Sequence, residues 1–403
     1  MNRPKQPGVS SARDAAIQIL YRVMSSAAHS DDLLHMPAVN KLSAEDRNLT
    51  TALVLGVLRW QLQLDSVMRS MLQRPDGEMH PAALLALRMG IFQILHMDRI
   101  PAHAAVNESV EMAKQNGADR SAGMVNAVLR RVMQDKESLK RVSLIAPLTL
   151  EEQAHPTWIL ERWRAQYGKA TARKIAAYDQ NEPPAGVLFT QEDGLPQLDD
   201  GSRLVAELAA AAVKEPKRIL DCCAAPGGKT AVLAVRHPQA EIVACDNSPK
   251  RLEALCRRMD RHDTMKRVKT LLADMTKPHE ELAAGSFDLI LCDTPCSGTG
   301  TLARNPEIRH RLRESDLARQ AQRQKAILTQ ALTLLVPGGR LVYSTCSLEP
   351  EENLEVVQAT SATIVDAASL VPASAAAAVV DGVLRTLPGT LPCDGFFAAV
   401  LTR

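Results

Sequence analysis

The sequence predicts an α/β protein: a mostly parallel sheet with helices on both faces, preceded by an all-helical domain. Its 403 residues, of which 46% are hydrophobic, suffice for roughly two to four domains with buried cores. From Ser11 to about Met133 the apolar residues follow the helical period almost throughout. After Arg203, short β-type runs alternate with helical runs, which is typical of a parallel sheet.

The helical front is predicted to form a compact bundle. Apolar residues recur at helical spacing in runs such as 15–23, 53–58 and 84–94. Helix boundaries are expected where breakers or capping residues occur, at Ser43 with Asp46, Pro81, Pro101 and Gly117.

The second half is expected to contain six strands separated by helices. The strands are placed at Arg218–Cys222, Glu241–Cys245, Arg267–Leu272, Phe287–Cys292, Arg340–Ser344 and Gly395–Leu401. The clearest helices are expected at Arg251–Arg261 and Leu317–Leu335. The chain is therefore divided into a helical domain (1–145), a connecting segment with a small subdomain (146–215) and a sheet domain (216–403).

The composition of the chain argues against several classes of protein. Lys and Arg number 48 against 46 Asp and Glu, so the chain lacks the strong basic bias of many polyanion-binding proteins. No segment has the long apolar run of a membrane span or the apolar core of a secretory signal. The eight cysteines are irregularly spaced without a C-x-x-C pair, which favours reduced thiols over disulfides or zinc ligands. We expect a cytoplasmic protein without membrane contact and without a metal site.

A Gly-rich turn joins the first predicted strand to a helix. It reads Cys223-Ala224-Ala225-Pro226-Gly227-Gly228-Lys229-Thr230. Such a turn lets backbone N–H groups approach a ligand at a helix N-terminus. A phosphate-binding P-loop would need glycine where Cys223 stands, and the dinucleotide pattern G-x-G-x-x-G is also absent. The turn therefore points away from nucleoside triphosphates and dinucleotides.

Acidic residues follow the next three predicted strands: Asp246, Asp274 and Asp293. Because carboxyl ends of parallel strands converge on the ligand crevice, we expect all three to face one pocket. Capping of the following helix is the alternative for any single aspartate. An acid after the second strand can accept hydrogen bonds from ribose hydroxyls. A ribose-binding acid with little provision for phosphate suits an adenosyl ligand such as S-adenosylmethionine.

Two cysteines occupy similar strand ends, Cys296 and Cys346, in turns rich in Ser, Thr, Gly and Pro. Carbon 5 of cytosine accepts a methyl group only after a thiolate adds to carbon 6, so that reaction needs a covalent cysteine adduct. An acid near N3 stabilises the adduct, and Asp293 is placed for that role. Other cysteines, such as Cys245 and Cys256, are interpreted as small buried hydrophobes. Spacing leaves the choice between Cys296 and Cys346 open.

The chain resembles the bacterial 16S ribosomal RNA cytosine-C5 methyltransferases of the RsmB (Sun/Fmu) type, within the wider RNA 5-methylcytosine methyltransferase family. The motifs that carry the resemblance occur in the family's order, at 221–230, 293–300, 343–347, 352–353 and 394–397. The N-terminal helices resemble the family's NusB-like RNA-binding domain. The resemblance implies a Rossmann-like class I methyltransferase domain with a mostly parallel seven-stranded sheet, preceded by that all-α domain.

The resemblance also implies roles for individual residues. Cys346 would be the nucleophile, and Cys296 the second cysteine, which resolves the protein–RNA adduct. The S-adenosylmethionine site would be formed by Cys223, Ala224, Ala225, Pro226, Gly227, Gly228, Lys229, Asp246, Asp274 and Asp293. The implied function is methylation of cytosine carbon 5 in small-subunit (16S) ribosomal RNA by a monomeric enzyme.

Several departures from the family pattern concern substrate choice. Thr294 replaces an alanine beside Asp293, and the segments around Leu188 and Leu198 differ from the family's motifs. Between 301 and 325, three residues are acidic and seven are basic (304, 309, 311, 313, 319, 323 and 325). This excess of positive charge is consistent with phosphate contacts and also with a solvated helix face. The alternatives are the same chemistry on transfer RNA, another RNA or DNA, and a non-catalytic NusB-like RNA-binding factor.

Overall fold

A computed structural model describes residues 9–403 except 27, 142, 146, 185, 193–194 and 260–266. The chain forms two compact units. The first runs to Glu182 and also contains Leu302–Arg311, and the second comprises Pro183–Thr301 and Leu312–Arg403. The expected connecting segment, 146–215, is therefore divided between the units, because its long helix belongs to the first and its last helix to the second.

The helices have the following bounds: α1 Ser11–Ser25, α2 Ser30–Leu34, α3 Pro37–Asn40, α4 Ala44–Met71, α5 Pro81–His96, α6 Ala102–Gln115, α7 Ala122–Gln134, α8 Lys136–Leu139, α9 Leu150–Gln153, α10 Thr157–Tyr178, α11 Asp200–Ala211, α12 Gly228–Arg236, α13 Pro249–Met259, α14 Ile308–Arg311, α15 Glu314–Leu334 and α16 Leu354–Gln358. The predicted end of α13, at Arg261, lies outside the described residues. In the described part of the chain, no helix is both long and apolar enough to cross a bilayer.

The first unit is the predicted helical bundle, with α5 at its centre. Every residue from Leu85 to Leu95 is buried, and α5 packs against α1, α4, α6 and α7. A helix that is buried all round occupies the interior of a bundle. Helices α1 to α4 and α6 to α8 contribute buried apolar residues to this core.

The helix boundaries of this unit lie where the sequence predicts them. The Ser43 hydroxyl accepts a hydrogen bond from the Asp46 N–H at 3.1 Å, which caps α4. Pro81 is the first residue of α5. Gly117 follows α6 with φ of +85°, a left-handed conformation that ends the helix at low cost for glycine.

The second unit is built on a sheet that is wider than expected. Its strands are β1 Arg218–Asp221, β2 Glu241–Asp246, β3 Val268–Leu272, β4 Phe287–Asp293, β5 Leu335–Thr345, β6 Thr363–Val365, β7 Val379–Val380, β8 Val383–Thr386 and β9 Phe396–Thr402. The order is β3-β2-β1-β4-β5-β9-β8-β7, and β6 also pairs with β9. The described residues thus form nine strands, not the expected seven, since short strands extend the β9 edge.

The parallel part of the sheet matches the α/β prediction. Strands β1 to β5 pair in parallel, whereas β9 runs antiparallel to β5. Alternate residues face opposite sides: Ile219 joins the core beneath α11 to α13, and Leu220 joins the core beneath α15. Helices on both faces place the carboxyl ends of β1 to β5 at one edge, where the predicted site residues lie.

Residues 302–311 of the predicted basic run are part of the helical unit. Arg309 is almost completely buried, and its guanidinium donates to the carbonyl oxygens of Arg59, Ala154, Asp179 and Leu302 at 3.2–3.4 Å. Arg311 donates to two further main-chain carbonyl oxygens. Arg309 is therefore not available for the phosphate contacts that the basic run suggested.

Candidate active site

A cavity lies at the carboxyl ends of the parallel strands. Its lining comes from the ends of β1 to β3, the turn after β4, and the helices α13 and α15 (Cys222, Cys223, Asp246, Asn247, Arg251, Ala273, Asp274, Met275, Pro295, Arg323 and Ile327). Of the predicted cofactor residues, Cys223, Asp246 and Asp274 line it directly. Arg251 and Pro295 are lining residues that the sequence did not predict for the site, and Arg323 was predicted only as part of the basic run.

Asp246 offers an unused acceptor to this cavity. The residue is 2% exposed, and its Oδ1 accepts a hydrogen bond from the Ser248 N–H at 2.9 Å. Its buried Oδ2 has no hydrogen-bond partner among the described residues, although the Arg251 guanidinium lies 3.6 Å away. A buried acceptor without a partner is costly, so a ligand hydroxyl would stabilise this carboxylate.

Asp274 is held in place from its own turn. Its Oδ1 accepts hydrogen bonds from the N–H and the hydroxyl of Thr276, at 3.1 and 2.7 Å. These bonds lower the pKa of Asp274, so the residue presents a carboxylate to the cavity at neutral pH.

The Gly-rich turn lies beside the cavity and is tightly packed by α13. Gly227 has φ of +96°, and a Cβ there would lie 2.3 Å from Cδ1 of Leu255. The Ala225 carbonyl accepts a hydrogen bond from Arg251 at 2.6 Å. The positive φ of Gly227 and the close approach of Leu255 explain why this turn needs glycine there. Ala224, Pro226 and Gly228 belong to the same turn, next to the residues that line the cavity.

Lys229 lies with Asp293, away from the lining residues of the cavity. Its Nζ donates to Oδ2 of Asp293 at 2.6 Å, and the Ser344 hydroxyl donates to Oδ1 at 2.8 Å. Burial lowers the pKa of Lys229, but the Asp293 carboxylate more than offsets it, so the net pKa is raised and Lys229 is a cation at neutral pH. The sequence placed Lys229 among the cofactor residues; the geometry links it to Asp293.

Cys296 and Cys346 are in contact. Their sulfur atoms are 3.4 Å apart in a partly buried position. The contact follows from the sheet, because β4 and β5 are parallel neighbours with Asp293 opposite Ser344, and each cysteine follows the end of one strand. The pKa of Cys296 is raised well above that of an ordinary thiol, first by its hydrogen bond with Cys346, then by burial and nearby negative charge.

Most of the remaining cysteines fit their predicted structural role, but Cys256 is only half-buried and its thiol donates to the Thr270 hydroxyl at 3.8 Å. Cys222, Cys245 and Cys292 are buried in the core. Burial raises the pKa of Cys245 to about 12, and a hydrogen bond with Cys292 together with burial raises the pKa of Cys222 well above that of an ordinary thiol. Such thiols stay protonated and unreactive at neutral pH.

Backbone hydrogen bonds connect the loops that carry the two cysteines. The Gly300 N–H donates to the Cys346 carbonyl at 2.9 Å, and the Gly395 N–H donates to the Gly300 carbonyl at 2.7 Å. A Cβ on Gly300 would lie 2.2 Å from the Gly395 oxygen. The glycines of the motifs at 293–300 and 394–397 are therefore explained by close backbone approach.

Glu352 and Asn353 lie behind both cysteine loops. Asn353 donates to the Ser347 carbonyl at 2.8 Å and accepts from the Thr345 hydroxyl at 2.5 Å. Glu352 is fully buried and accepts hydrogen bonds from both Ser297 and Ser347. The sequence identified this pair only as part of a motif, since nothing local reveals contacts to a loop 55 residues away.

The departures from the family pattern are accommodated locally. The Thr294 hydroxyl donates to the Ser344 carbonyl at 3.3 Å. Leu198 packs against Gly228, where a Cβ would lie 2.4 Å from Cδ2 of Leu198. The Leu188 N–H donates to the Asp200 carboxylate at 3.0 Å. None of these contacts involves the thiols.

Comparison with known proteins agrees with this architecture. Residues 209–402 match the family model described as 16S rRNA methyltransferase RsmB/F, and residues 10–134 match the NusB family. A protein of known structure, PH0851, superposes with a TM-score of 0.72 over 100% of both chains at 20% identity, which confirms the fold.

Curated relatives match the chain over nearly its whole length. The probable ribosomal RNA small subunit methyltransferase B of Synechocystis sp. is 31% identical, over 98% of this chain and 99% of its own. Ribosomal RNA small subunit methyltransferase B of Vibrio cholerae is 32% identical, over 98% of both chains. This chain is therefore a methyltransferase, and it belongs to the ribosomal RNA small subunit methyltransferase B family.

Proposed function

We propose that the protein methylates carbon 5 of a cytidine in small-subunit (16S) ribosomal RNA, with S-adenosylmethionine as methyl donor and Cys346 as nucleophile. The observation that carries the proposal is the 3.4 Å contact between the Cys296 and Cys346 sulfur atoms at adjacent strand ends. Family membership supports the substrate, because full-length relatives are named for methylation of small-subunit ribosomal RNA.

The cavity residues fit an adenosyl group. The unpartnered Oδ2 of Asp246 would accept a hydrogen bond from a ribose hydroxyl, at a site where an unmet acceptor costs about 1–3 kcal/mol. Cys223 and Asp274 line the same cavity, and Ala224 to Gly228 would contribute backbone contacts beside it. When bound, S-adenosylmethionine supplies the methyl group that ends on carbon 5.

The two cysteines divide the covalent chemistry. The Cys346 thiolate adds to carbon 6 of the cytosine, and its electron pair forms the C–S bond while the ring becomes nucleophilic at carbon 5. After methylation, the carbon 5 proton passes to a base, the ring double bond re-forms, and Cys346 leaves with the electrons of the C–S bond. Cys296 is assigned to this release step.

Asp293 and Lys229 are assigned to the N3 edge of the cytosine. Electron density builds up at N3 when the thiolate adds, so a hydrogen-bond donor there stabilises the adduct. Lys229 is a cation that shares a proton with Asp293 across 2.6 Å. Asp293 therefore acts with Lys229 as its proton source.

The helical unit is assigned to RNA binding, in keeping with its match to the NusB family. Part of the basic run remains suitable for phosphate contacts, such as Arg319, whose side chain is 76% exposed. The enzyme would act in the cytoplasm, where ribosomal RNA is found, and as a monomer. Light scattering at 43.8 kDa would support the monomer, and twice that mass would contradict it.

The test is methyl transfer from labelled S-adenosylmethionine to separated substrates. We expect 5-methylcytidine in small-subunit ribosomal RNA, no product with Cys346→Ala, and a denaturation-resistant protein–RNA band with Cys296→Ala. Methylation of transfer RNA or DNA instead of ribosomal RNA would show that the substrate is that other nucleic acid. Binding of RNA without methyl donor binding or turnover would make the protein a non-catalytic RNA-binding factor.

A further inference from the structure

One buried carboxylate joins the two cysteine loops. Glu352 accepts hydrogen bonds from the Ser297 N–H at 2.8 Å, from the Ser297 hydroxyl, from the Ser347 hydroxyl at 2.5 Å and from the Gln324 amide at 3.1 Å. Ser297 directly follows Cys296, and Ser347 directly follows Cys346. Both thiol-bearing loops are thus fixed to the same two oxygen atoms.

The pairing of β4 with β5 brings the two sulfur atoms together, and the hydrogen bonds of Glu352 fix the loops beyond the strand ends. The loops leave different strands, and their sequence separation of 50 residues provides no local restraint. Hydrogen bonds to a charged group are typically worth about 1.5–3 kcal/mol, more than neutral ones. Four donors converging on a fully buried carboxylate therefore hold both loops in a single geometry.

The charges around the thiol pair are asymmetric. The titratable groups that interact with one or the other sulfur include Lys229, Tyr343 and Glu352, and Lys229 is itself paired with Asp293. The Lys229 cation interacts with Cys346. On the other sulfur, the Cys346 hydrogen bond, burial and the Cys346 and Glu352 charges together raise the pKa of Cys296. Loss of a proton is therefore opposed on Cys296.

We propose that Glu352 is a positioning residue that keeps the two sulfur atoms in contact and assigns their shared proton to Cys296. Cys346 gives its proton to solvent and is the thiolate. The Cys296 S–H donates to it and keeps its proton throughout. This inference extends the proposed function, because the same S–H stabilises Cys346 when it leaves carbon 6 with the C–S electron pair. Cys296 would thus speed release as a hydrogen-bond donor.

Thiol alkylation tests this inference without RNA or methyl donor. Initial rates of iodoacetamide modification of each cysteine are measured by peptide mass spectrometry between pH 6 and 9. Because one pKa unit changes the thiolate fraction tenfold, wild-type Cys346 should react at least about 10-fold faster than Cys296 at neutral pH. In Glu352→Gln we expect this ratio to fall to about 3-fold or less. The control is Glu355→Gln, an exposed glutamate three residues away, which should keep the wild-type ratio.

Turnover provides the second readout. Glu352→Gln should shift the pH profile of kcat and leave the KM for the methyl donor unchanged, since the carboxylate does not line the cavity. A folded Glu352→Gln enzyme with the wild-type alkylation ratio and pH profile would overturn the inference. If Glu352→Gln does not fold, Ser297→Ala and Ser347→Ala are measured in its place. A wild-type alkylation ratio of Cys346 to Cys296 in both serine variants would also overturn the inference. Failure of the wild type to methylate ribosomal RNA would refute the proposed function and leave the alkylation result standing.

Discussion

At the scale of single residues, Lys229 is predicted to belong to the cofactor site and is paired with Asp293, a second residue predicted for that site. The motif at 221–230 placed it with the cofactor, whereas its Nζ lies 2.6 Å from Asp293 and outside the cavity lining. We expect Lys229→Met to lower kcat by about 100-fold, the lower end of acid–base contributions, with little change in S-adenosylmethionine affinity. Single-turnover rates and calorimetric titration measure the two effects. Lys250→Met, at an exposed lysine, is the control, and weaker cofactor binding at unchanged kcat would restore the sequence-based assignment.

Gly300 is required by the close packing of three backbone segments. In Gly300→Ala the new Cβ would lie 2.2 Å from a carbonyl oxygen of Gly395, which cannot move as a side chain can. We expect destabilisation of about 1–3 kcal/mol, the usual cost of overpacking, in urea unfolding. Gly123→Ala is the matched control, because a Cβ on this helical glycine meets nothing within 4 Å. Equal stability of the two variants would contradict the close packing of these loops.

At the scale of secondary-structure elements, the regular parts of the fold were predictable and the short ones were not. Strands β1 to β4 and helix α5 have long apolar patterns or clear boundary residues, and each was expected within a few residues of its observed position. Strands β7 and β8 were not predicted, because no motif or boundary residue marks them; β8 pairs with β9, and β7 pairs with β8. The contacts of Glu352 could not be predicted either, since they join segments far apart in sequence.

The segment that contains α14 shows that the charge of a residue does not by itself predict that its side chain is exposed. Arg309 was counted among exposed basic residues, but it is buried beside Asp179, whose burial raises its pKa to about 7. We expect Arg309→Ala to destabilise the protein by about 1–3 kcal/mol, because it leaves buried main-chain carbonyl groups without their donor. Arg319→Ala, at an exposed arginine, should change stability by less than about 0.5 kcal/mol. Urea unfolding compares them, and similar losses would refute the structural role of Arg309.

At the scale of the whole molecule, stability should depend on pH through buried acids such as Asp221, which lies at the end of β1. Burial raises the pKa of Asp221 to about 7, against about 3.9 in the unfolded chain. The folded state therefore binds more protons between about pH 4 and 7, so stability falls as pH rises through that window, by up to about 1.4 kcal/mol per pH unit. Asp221→Asn should flatten this slope in urea unfolding, whereas Asp381→Asn, at an exposed position, should not. Parallel profiles for wild type and Asp221→Asn would contradict the raised pKa.

The central claim is that the Cys346 sulfur attacks the cytosine. The most direct measurement is to incubate the Cys296→Ala variant with small-subunit ribosomal RNA and S-adenosylmethionine, digest the trapped complex, and locate the modified peptide by mass spectrometry. The account predicts a methylated cytidine bonded to Cys346. A nucleotide on any other residue, or turnover by Cys346→Ala, would contradict it.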